Sequence, residues 1–126
     1  MKKVLSTMLL VSIGLFASAQ QKIKIEDAAQ HEGDSVTICS KVYGGRYMSN
    51  SKSAITLLNV GGLYPNALLT VLIKPENRAA FTNKPEEFYI GKEVCITGKI
   101  ILFKGKPEIE LFSEKGITLN VLNPNP

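Results

Sequence analysis

Residues 67–81 read ALLTVLIKPENRAAF, and this stretch decides the fold class because a strand pattern passes directly into a helix start. Pro75 fits the first helical position, where its missing amide would be unpaired anyway, and Glu76 suits the positive end of a helix. The preceding strand is apolar on both faces, with one set on each side: Leu69, Val71 and Ile73, against Leu68, Thr70 and Leu72. The stretch therefore predicts a largely covered strand followed by a short helix.

Further strands on either side of this unit follow from alternation of apolar and polar residues. In chain order the predicted elements are a short helix at Ile25–His31, strands at residues 36–42, 54–60 and 67–74, a helix from Pro75, an irregular link containing Pro85, a strand at residues 93–102, and a strand entered at Pro107. A polar, glycine-bearing loop is predicted over residues 44–53. Lys104-Gly105-Lys106 predicts a hairpin turn between the last two strands.

Five strands with a helix between the third and fourth is the order of an OB-fold. The predicted class is therefore all-β with short helices, in the form of a five-stranded Greek-key OB-fold barrel. A barrel suits the size of the chain without residues 1–19, because the remaining 107 residues can fill one hydrophobic core but not two. An open sandwich and an SH3-like barrel are the competing all-β architectures, and the helix at Pro75 argues against both.

Residues 1–19 have the pattern of a secretory signal peptide. Lys2 and Lys3 begin the segment, an apolar run follows, and Ala17-Ser18-Ala19 supplies the small residues of a cleavage site. Removing it takes two lysines from the 15 basic residues and none of the 11 acidic ones, so the net charge falls from +4 to +2. We expect a single exported domain over residues 20–126 with its core at about 25–119, either periplasmic or secreted, without a membrane anchor.

Two stretches resemble small exported bacterial OB-fold proteins related to the anticodon-binding type of nucleic-acid-binding OB-fold. They are residues 58–66, LNVGGLYPN, which continue into TVLI at 70–73, and residues 91–100, GKEVCITGKI, followed by FKGKP at 103–107. With Asp27-Ala28-Ala29 ahead of the first strand, the resemblance covers nearly all of the mature chain. It implies the OB fold, and as an analogy it implies a nucleic-acid ligand.

Catalysis has little support in the sequence. His31 is the single imidazole and falls at the end of a predicted helix, where a partly charged ring is favourable. No serine or cysteine has the context of an activated nucleophile, and two cysteines with one histidine do not make a metal site. Glu108 and Glu110 alternate on one strand face, which predicts a solvated face and counts against a phosphate ligand. We expect a protein that is not an enzyme and needs no cofactor or metal.

Binding residues are predicted in two loops, because an OB-fold binds oligonucleotides or oligosaccharides through its second and third strands and these loops. Aromatic rings stack on bases while neighbouring cations hold phosphates. The loop between the first two strands contributes Arg46, Tyr47 and Lys52, and Tyr43 precedes it. The turn between the last two strands contributes Phe103, Lys104 and Lys106.

Three functions remain open on this basis. The leading hypothesis is an exported, non-catalytic domain that binds single-stranded nucleic acid or a similar extended polymer, weakly and with little sequence preference. A periplasmic OB-fold stress protein that binds a small molecule or a cation fits the low net charge. A protein-interaction module could use Leu68, Leu72 and Phe112. The oligomeric state is not determined by the sequence, and a monomer is the default expectation.

The two cysteines are predicted to form a disulfide. Cys39 shares a strand face with Thr37 and Lys41, and Cys95 shares one with Thr97 and Lys99. The first and fourth strands of an OB barrel are antiparallel neighbours, so both sulfurs can project outward at one level. The periplasm and the cell exterior, to which the protein would be exported, permit oxidation of the two thiols.

Overall fold

The computed structural model describes residues 21–121, so the predicted signal peptide at residues 1–19 and the end of the chain lie outside the described residues. The strands are β1 (Gln21–Ile23), β2 (Ser35–Tyr47), β3 (Thr56–Val60), β4 (Leu69–Ile73), β5 (Glu93–Phe103), β6 (Lys106–Glu110) and β7 (Ile117–Leu119). The helices are α1 (Pro75–Arg78) and α2 (Pro85–Phe88), with 3₁₀ turns at Ile25–His31 and Glu114–Gly116. No helix within residues 21–121 has the length and apolarity needed to cross a membrane.

Five of the strands form a closed cycle of hydrogen-bonded pairs. Strand β2 pairs with β3, β3 with β4 and β6 with β5, all antiparallel, while β4 pairs with β6 in parallel. The first half of β2 then pairs antiparallel with the first half of β5, which closes the cycle. Strands β2 and β5 are long enough to belong to both halves of the structure, and β2 changes partner at a bulge between Val42 and Gly44.

The predicted number of strands is wrong, because the sheet has seven. All five predicted strands are present, and β1 and β7 are added at their flanks, parallel to β2 and antiparallel to β5 respectively. Each added strand has three residues. Three residues are too few to show an alternating pattern, so their sequences carry no signal.

Inward-facing side chains of the cycle make one hydrophobic core. Thirteen of its aliphatic residues are essentially inaccessible to solvent: Val36, Ile38, Val42, Leu58, Val60, Leu69, Val71, Ile73, Val94, Ile96, Ile100, Ile109 and Leu111. Burial of each contributes roughly 1.5–3 kcal/mol relative to an exposed position. The strict alternation leaves the intervening residues of β3, β4 and β6 facing outward, and these form the surface described below.

Two local predictions need correction. The loop predicted over residues 44–53 is shorter, since β2 continues through Tyr47 and pairs with β3 from Gly44 opposite Asn59 to Tyr47 opposite Thr56. The glycine that suggested a loop is needed in the strand, because a Cβ on Gly45 would lie 3.0 Å from the Glu86 Cα of α2. The link containing Pro85 is in part helical, and Pro85 occupies its first turn.

The disulfide prediction is confirmed. Cys39 and Cys95 are directly opposite in the β2–β5 register, with Cα atoms 4.0 Å apart, and their sulfurs are bonded. The adjacent pair on the same face, Thr37 and Thr97, joins its hydroxyls by a hydrogen bond of 2.8 Å. The outward cross-strand arrangement inferred from the sequence is therefore correct for both pairs.

Gly61 is a position where we expect substitution to weaken the fold. Its φ is +78°, and a Cβ would lie 2.6 Å from Ile25 Cδ1. Gly61→Ala should lower the free energy of unfolding by about 2–3 kcal/mol through backbone strain and overlap with Ile25, measured by urea unfolding.

Gly33→Ala is the matched control, because Gly33 has φ +86° and a Cβ placed on it would have no neighbouring atom within 4 Å. The free energy of unfolding of Gly33→Ala should fall by only about 1–2 kcal/mol, which is the cost of the left-handed backbone conformation. An equal fall in the free energy of unfolding of both variants would show that the Ile25 side chain moves aside without cost and would contradict this prediction.

Candidate functional site

An open groove lies on the outward faces of β3, β4 and β6. One wall is the end of β5 with the β5–β6 hairpin, and the other is the connection between β3 and β4. The groove encloses about 280 Å³ and is lined by Leu57, Asn59, Tyr64, Pro65, Ala67, Thr70, Phe103, Lys104, Lys106 and Glu108. It combines apolar, aromatic, cationic and hydrogen-bonding groups.

The floor of the groove is a row of three polar side chains from three neighbouring strands. Asn59 is opposite Thr70 in the β3–β4 register, and Thr70 is opposite Glu108 in the β4–β6 register. They point outward because the residues beside them, such as Leu58, point into the core. Burial raises the pKa of the Glu108 carboxyl above its ordinary value. The row thus presents an amide, a hydroxyl and a carboxylate at one level.

Two exposed aromatic rings belong to the walls. Phe103, at the end of β5, is 57% exposed, and Tyr64, in the β3–β4 connection, is 82% exposed. Both rings line the same groove, so they offer two apolar surfaces to a ligand there. The Lys104 ammonium lies 5.4 Å from the centre of the Phe103 ring. Lys106 Nζ donates a hydrogen bond of 3.1 Å to the carbonyl oxygen of Pro65 and so connects the two walls.

The residues predicted as binding residues fall into separate groups. Phe103, Lys104 and Lys106 all line the groove. Arg46 is opposite Leu57, a groove residue, and therefore faces the same side of the sheet just beyond it. The next residue of the strand, Tyr47, faces the other side, and the Arg78 guanidinium lies 3.7 Å from its ring centre.

The other two predicted residues lie outside the groove lining. Lys52 is exposed in the segment that joins β2 to β3. Tyr43 is exposed next to the bulge of β2, with Lys41 Nζ 5.3 Å from its ring centre. The structure therefore brings together the three predicted binding residues of the β5–β6 hairpin. It separates them from the predicted residues near the β2–β3 connection.

Sequence reasoning missed seven of the ten residues that line the groove, and four of the seven have polar or aromatic side chains: Asn59, Tyr64, Thr70 and Glu108. Tyr64 lies in a segment with the composition of a turn, and an aromatic residue in an exposed turn is the one sequence signal that could have marked it as a binding residue. Glu108 and Glu110 share one strand face, as their alternation predicts, but they have different surroundings. Glu110 lies 3.6 Å from Lys74 Nζ, whereas Glu108 lies in the groove.

Other reactive groups do not assemble into a second centre within the described residues. Across residues 21–121 no three His, Cys, Asp or Glu side chains gather as metal ligands would. His31 ends a 3₁₀ turn, as its helical position predicts, and its Nδ1 lies 3.1 Å from Asp34 Oδ2. Leu68 and Phe112, two of the predicted interaction residues, are exposed, and Phe112 is 70% accessible.

Comparison with known proteins gives a likeness of fold. No protein-family model matches the chain, and no curated protein sequence matches it. A structure described as an aspartyl-tRNA synthetase from Leishmania major Friedlin superposes with a TM-score of 0.50 at 9% identity, covering 84% of this chain and 22% of that one. The chain thus spans about a fifth of that protein. The S. pombe Stn1–Ten1 complex superposes with a TM-score of 0.43 at 14% identity, covering 85% of this chain and 83% of that one. The first likeness and the closed strand order are consistent with an OB-like fold.

Proposed function

We propose that this chain is an exported, non-catalytic OB-fold barrel that binds single-stranded nucleic acid, or a similar extended anionic polymer, in the groove. The observation that carries the proposal is the combination of two exposed rings, Phe103 and Tyr64, with two lysines in one groove. Single-strand binders combine aromatic stacking platforms with cations that follow the backbone.

The distribution of charge within the groove supports this function. Lys104 and Lys106 belong to the hairpin at the rim, and Glu108 lies on the floor. A polymer that stacks its bases inward places its phosphates at the rim, away from the carboxylate. Glu108 therefore repels such phosphates less than an exposed glutamate would, because Lys104 and Lys106 are exposed and the Glu108 carboxylate is half-buried.

The likeness of fold to an aspartyl-tRNA synthetase adds an analogy, since that protein acts on a tRNA. Export rests on the signal-like residues 1–19, and the Cys39–Cys95 disulfide suits an oxidising compartment.

The rim lysines provide the test. Lys104→Gln and Lys106→Gln should each weaken binding of a fluorescent single-stranded oligonucleotide of about 12 nucleotides, a length within the range that one OB-fold covers. Each variant should also flatten the dependence of log K on log salt by about one, measured by anisotropy between about 50 and 200 mM salt, because each removes one phosphate contact.

Lys115→Gln is the matched control, because Lys115 is an exposed lysine outside the groove lining. It should leave both affinity and salt slope unchanged. Equal loss in all three variants would indicate non-specific attraction to net charge and would contradict a groove-centred site.

A further inference from the structure

The polar floor of the groove has unused hydrogen-bonding capacity. Within residues 21–121, Asn59, Thr70 and Glu108 make no side-chain hydrogen bond, and Glu108 takes part in no ion pair. A half-buried carboxylate without a partner is costly for the fold, because the charge loses part of its hydration without compensation. Ligand sites hold a small number of such polar groups, which fix the orientation of the ligand.

From this row we infer that the groove floor reads the edge of a single nucleobase and selects bases that carry an exocyclic amino group. The inference rests on the proposed function. Glu108 accepts hydrogen bonds from the amino group, while the Thr70 hydroxyl and the Asn59 amide serve the adjacent ring nitrogen and carbonyl. Phe103 and Tyr64 supply stacking surfaces that do not depend on base identity.

The chemistry of the carboxylate gives the direction of the selectivity. An ionised carboxylate only accepts hydrogen bonds, and its pairing with the cytosine N4 amino group is a recurrent protein contact. Where cytosine has its N4 amino group, thymine has the O4 carbonyl oxygen, which would face the carboxylate as a second acceptor. A wrong base therefore leaves polar groups unpaired in a partly desolvated site, which produces strong discrimination.

The size of the groove agrees with one base. Its volume of about 280 Å³ is close to the lower end of small-molecule sites, roughly 300 Å³. The three floor residues lie on adjacent strands in direct register, so their backbones span roughly 10 Å. Asn59 and Glu108 have longer side chains than Thr70, so all three can reach the edge of one base placed over Thr70. Only one nucleotide of a bound strand would be read in this way, and its neighbours would be held by the rim.

The test compares oligo(dC) with oligo(dT) of about 12 nucleotides, by anisotropy at neutral pH. Wild-type protein should favour oligo(dC) by about tenfold, which lies within the discrimination that one good base-edge contact provides. Glu108→Gln should reduce that ratio to about twofold or less, because the new amide can donate to thymine as well as accept from cytosine.

Glu110→Gln is the control for lost negative charge. It makes the same substitution two residues away on the same strand, but Glu110 pairs with Lys74 and lies outside the groove lining. It can raise affinity for both oligonucleotides and should leave their ratio at the wild-type value. A wild-type ratio near one, or a ratio that Glu108→Gln leaves intact, would overturn base selection while leaving polymer binding in place. Absence of binding to either oligonucleotide at about 100 μM would overturn both, since that concentration reaches the non-specific range.

Thermal unfolding separates a ligand-directed Glu108 from a structural one. Burial raises the pKa of Glu108, so its contribution to stability is present below the unfolded-state pKa and is lost as the pH rises through the folded-state pKa. At neutral pH the ionised side chain therefore destabilises the fold, and Glu108→Gln should raise Tm while it removes selectivity. A lower Tm would indicate that Glu108 supports the fold and would contradict the inferred role.

Discussion

Removal of the Cys39–Cys95 disulfide is expected to lower the free energy of unfolding by about 4 kcal/mol. The bridge links positions separated by 56 residues, and closing a loop of that length restricts the unfolded chain by about this amount in the chain-entropy model. Urea unfolding of Cys39→Ala/Cys95→Ala and of reduced wild-type protein should give the same loss. For a single domain whose stability is commonly about 5–15 kcal/mol, this is a large fraction.

The control for this prediction is the neighbouring cross-strand pair. Thr37→Ala/Thr97→Ala removes the adjacent hydroxyl contact of 2.8 Å on the same face and leaves the bridge intact. It should cost about 1 kcal/mol, which is ordinary for one hydrogen bond. Two alkylatable thiols in unreduced, unfolded protein, seen by intact mass, would contradict the disulfide itself.

Disruption of the Arg78–Glu86 ion pair is expected to cost about 3 kcal/mol. The guanidinium of α1 contacts the carboxylate of α2 at 2.6 Å, with the side chains 19% and 12% exposed. Arg78→Met leaves a largely buried carboxylate without its partner, which is the costly way to break such a pair. The same change also removes the cation that lies over the Tyr47 ring.

Two further variants make this prediction specific. Arg78→Met/Glu86→Leu should recover most of the stability lost in Arg78→Met, because two apolar side chains avoid the unpaired charge. Lys74→Met, which breaks the more exposed Lys74–Glu110 pair, should cost less than about 1 kcal/mol. Equal destabilisation by Lys74→Met and Arg78→Met in urea would show that burial of the Arg78–Glu86 pair does not matter.

The strands that were predictable are those with enough residues for alternation to be visible. Val36 to Val42 and Val94 to Ile100 alternate clearly, and both sets lie in the core as expected. The end of β2 was missed because Gly44 and Gly45 have the composition of a turn. Only the packing of α2 against Gly45 explains why a strand requires a glycine there.

The candidate site was predictable where it depends on a local turn and unpredictable where it depends on register. Lys104 and Lys106 flank a hairpin glycine, so their exposure followed from the sequence. Whether Glu108 faces a groove depends on the parallel pairing of β4 with β6, which joins segments distant in sequence. The sequence places Tyr47 with Arg46 because residues 44–53 have the composition of a loop, whereas alternation along β2 puts the two side chains on opposite faces.

The most direct test of the central claim is a titration of isotope-labelled protein with a single-stranded oligonucleotide, followed by two-dimensional amide NMR spectra. We predict that the largest salt-sensitive shifts occur at groove residues such as Asn59, Tyr64, Thr70 and Phe103. Shifts around Tyr47 and Arg78 should be small, because that cluster lies on the other side of β2. No shifts with any oligonucleotide at about 100 μM, or shifts centred on the exposed Phe112 instead of the groove, would contradict the proposed function.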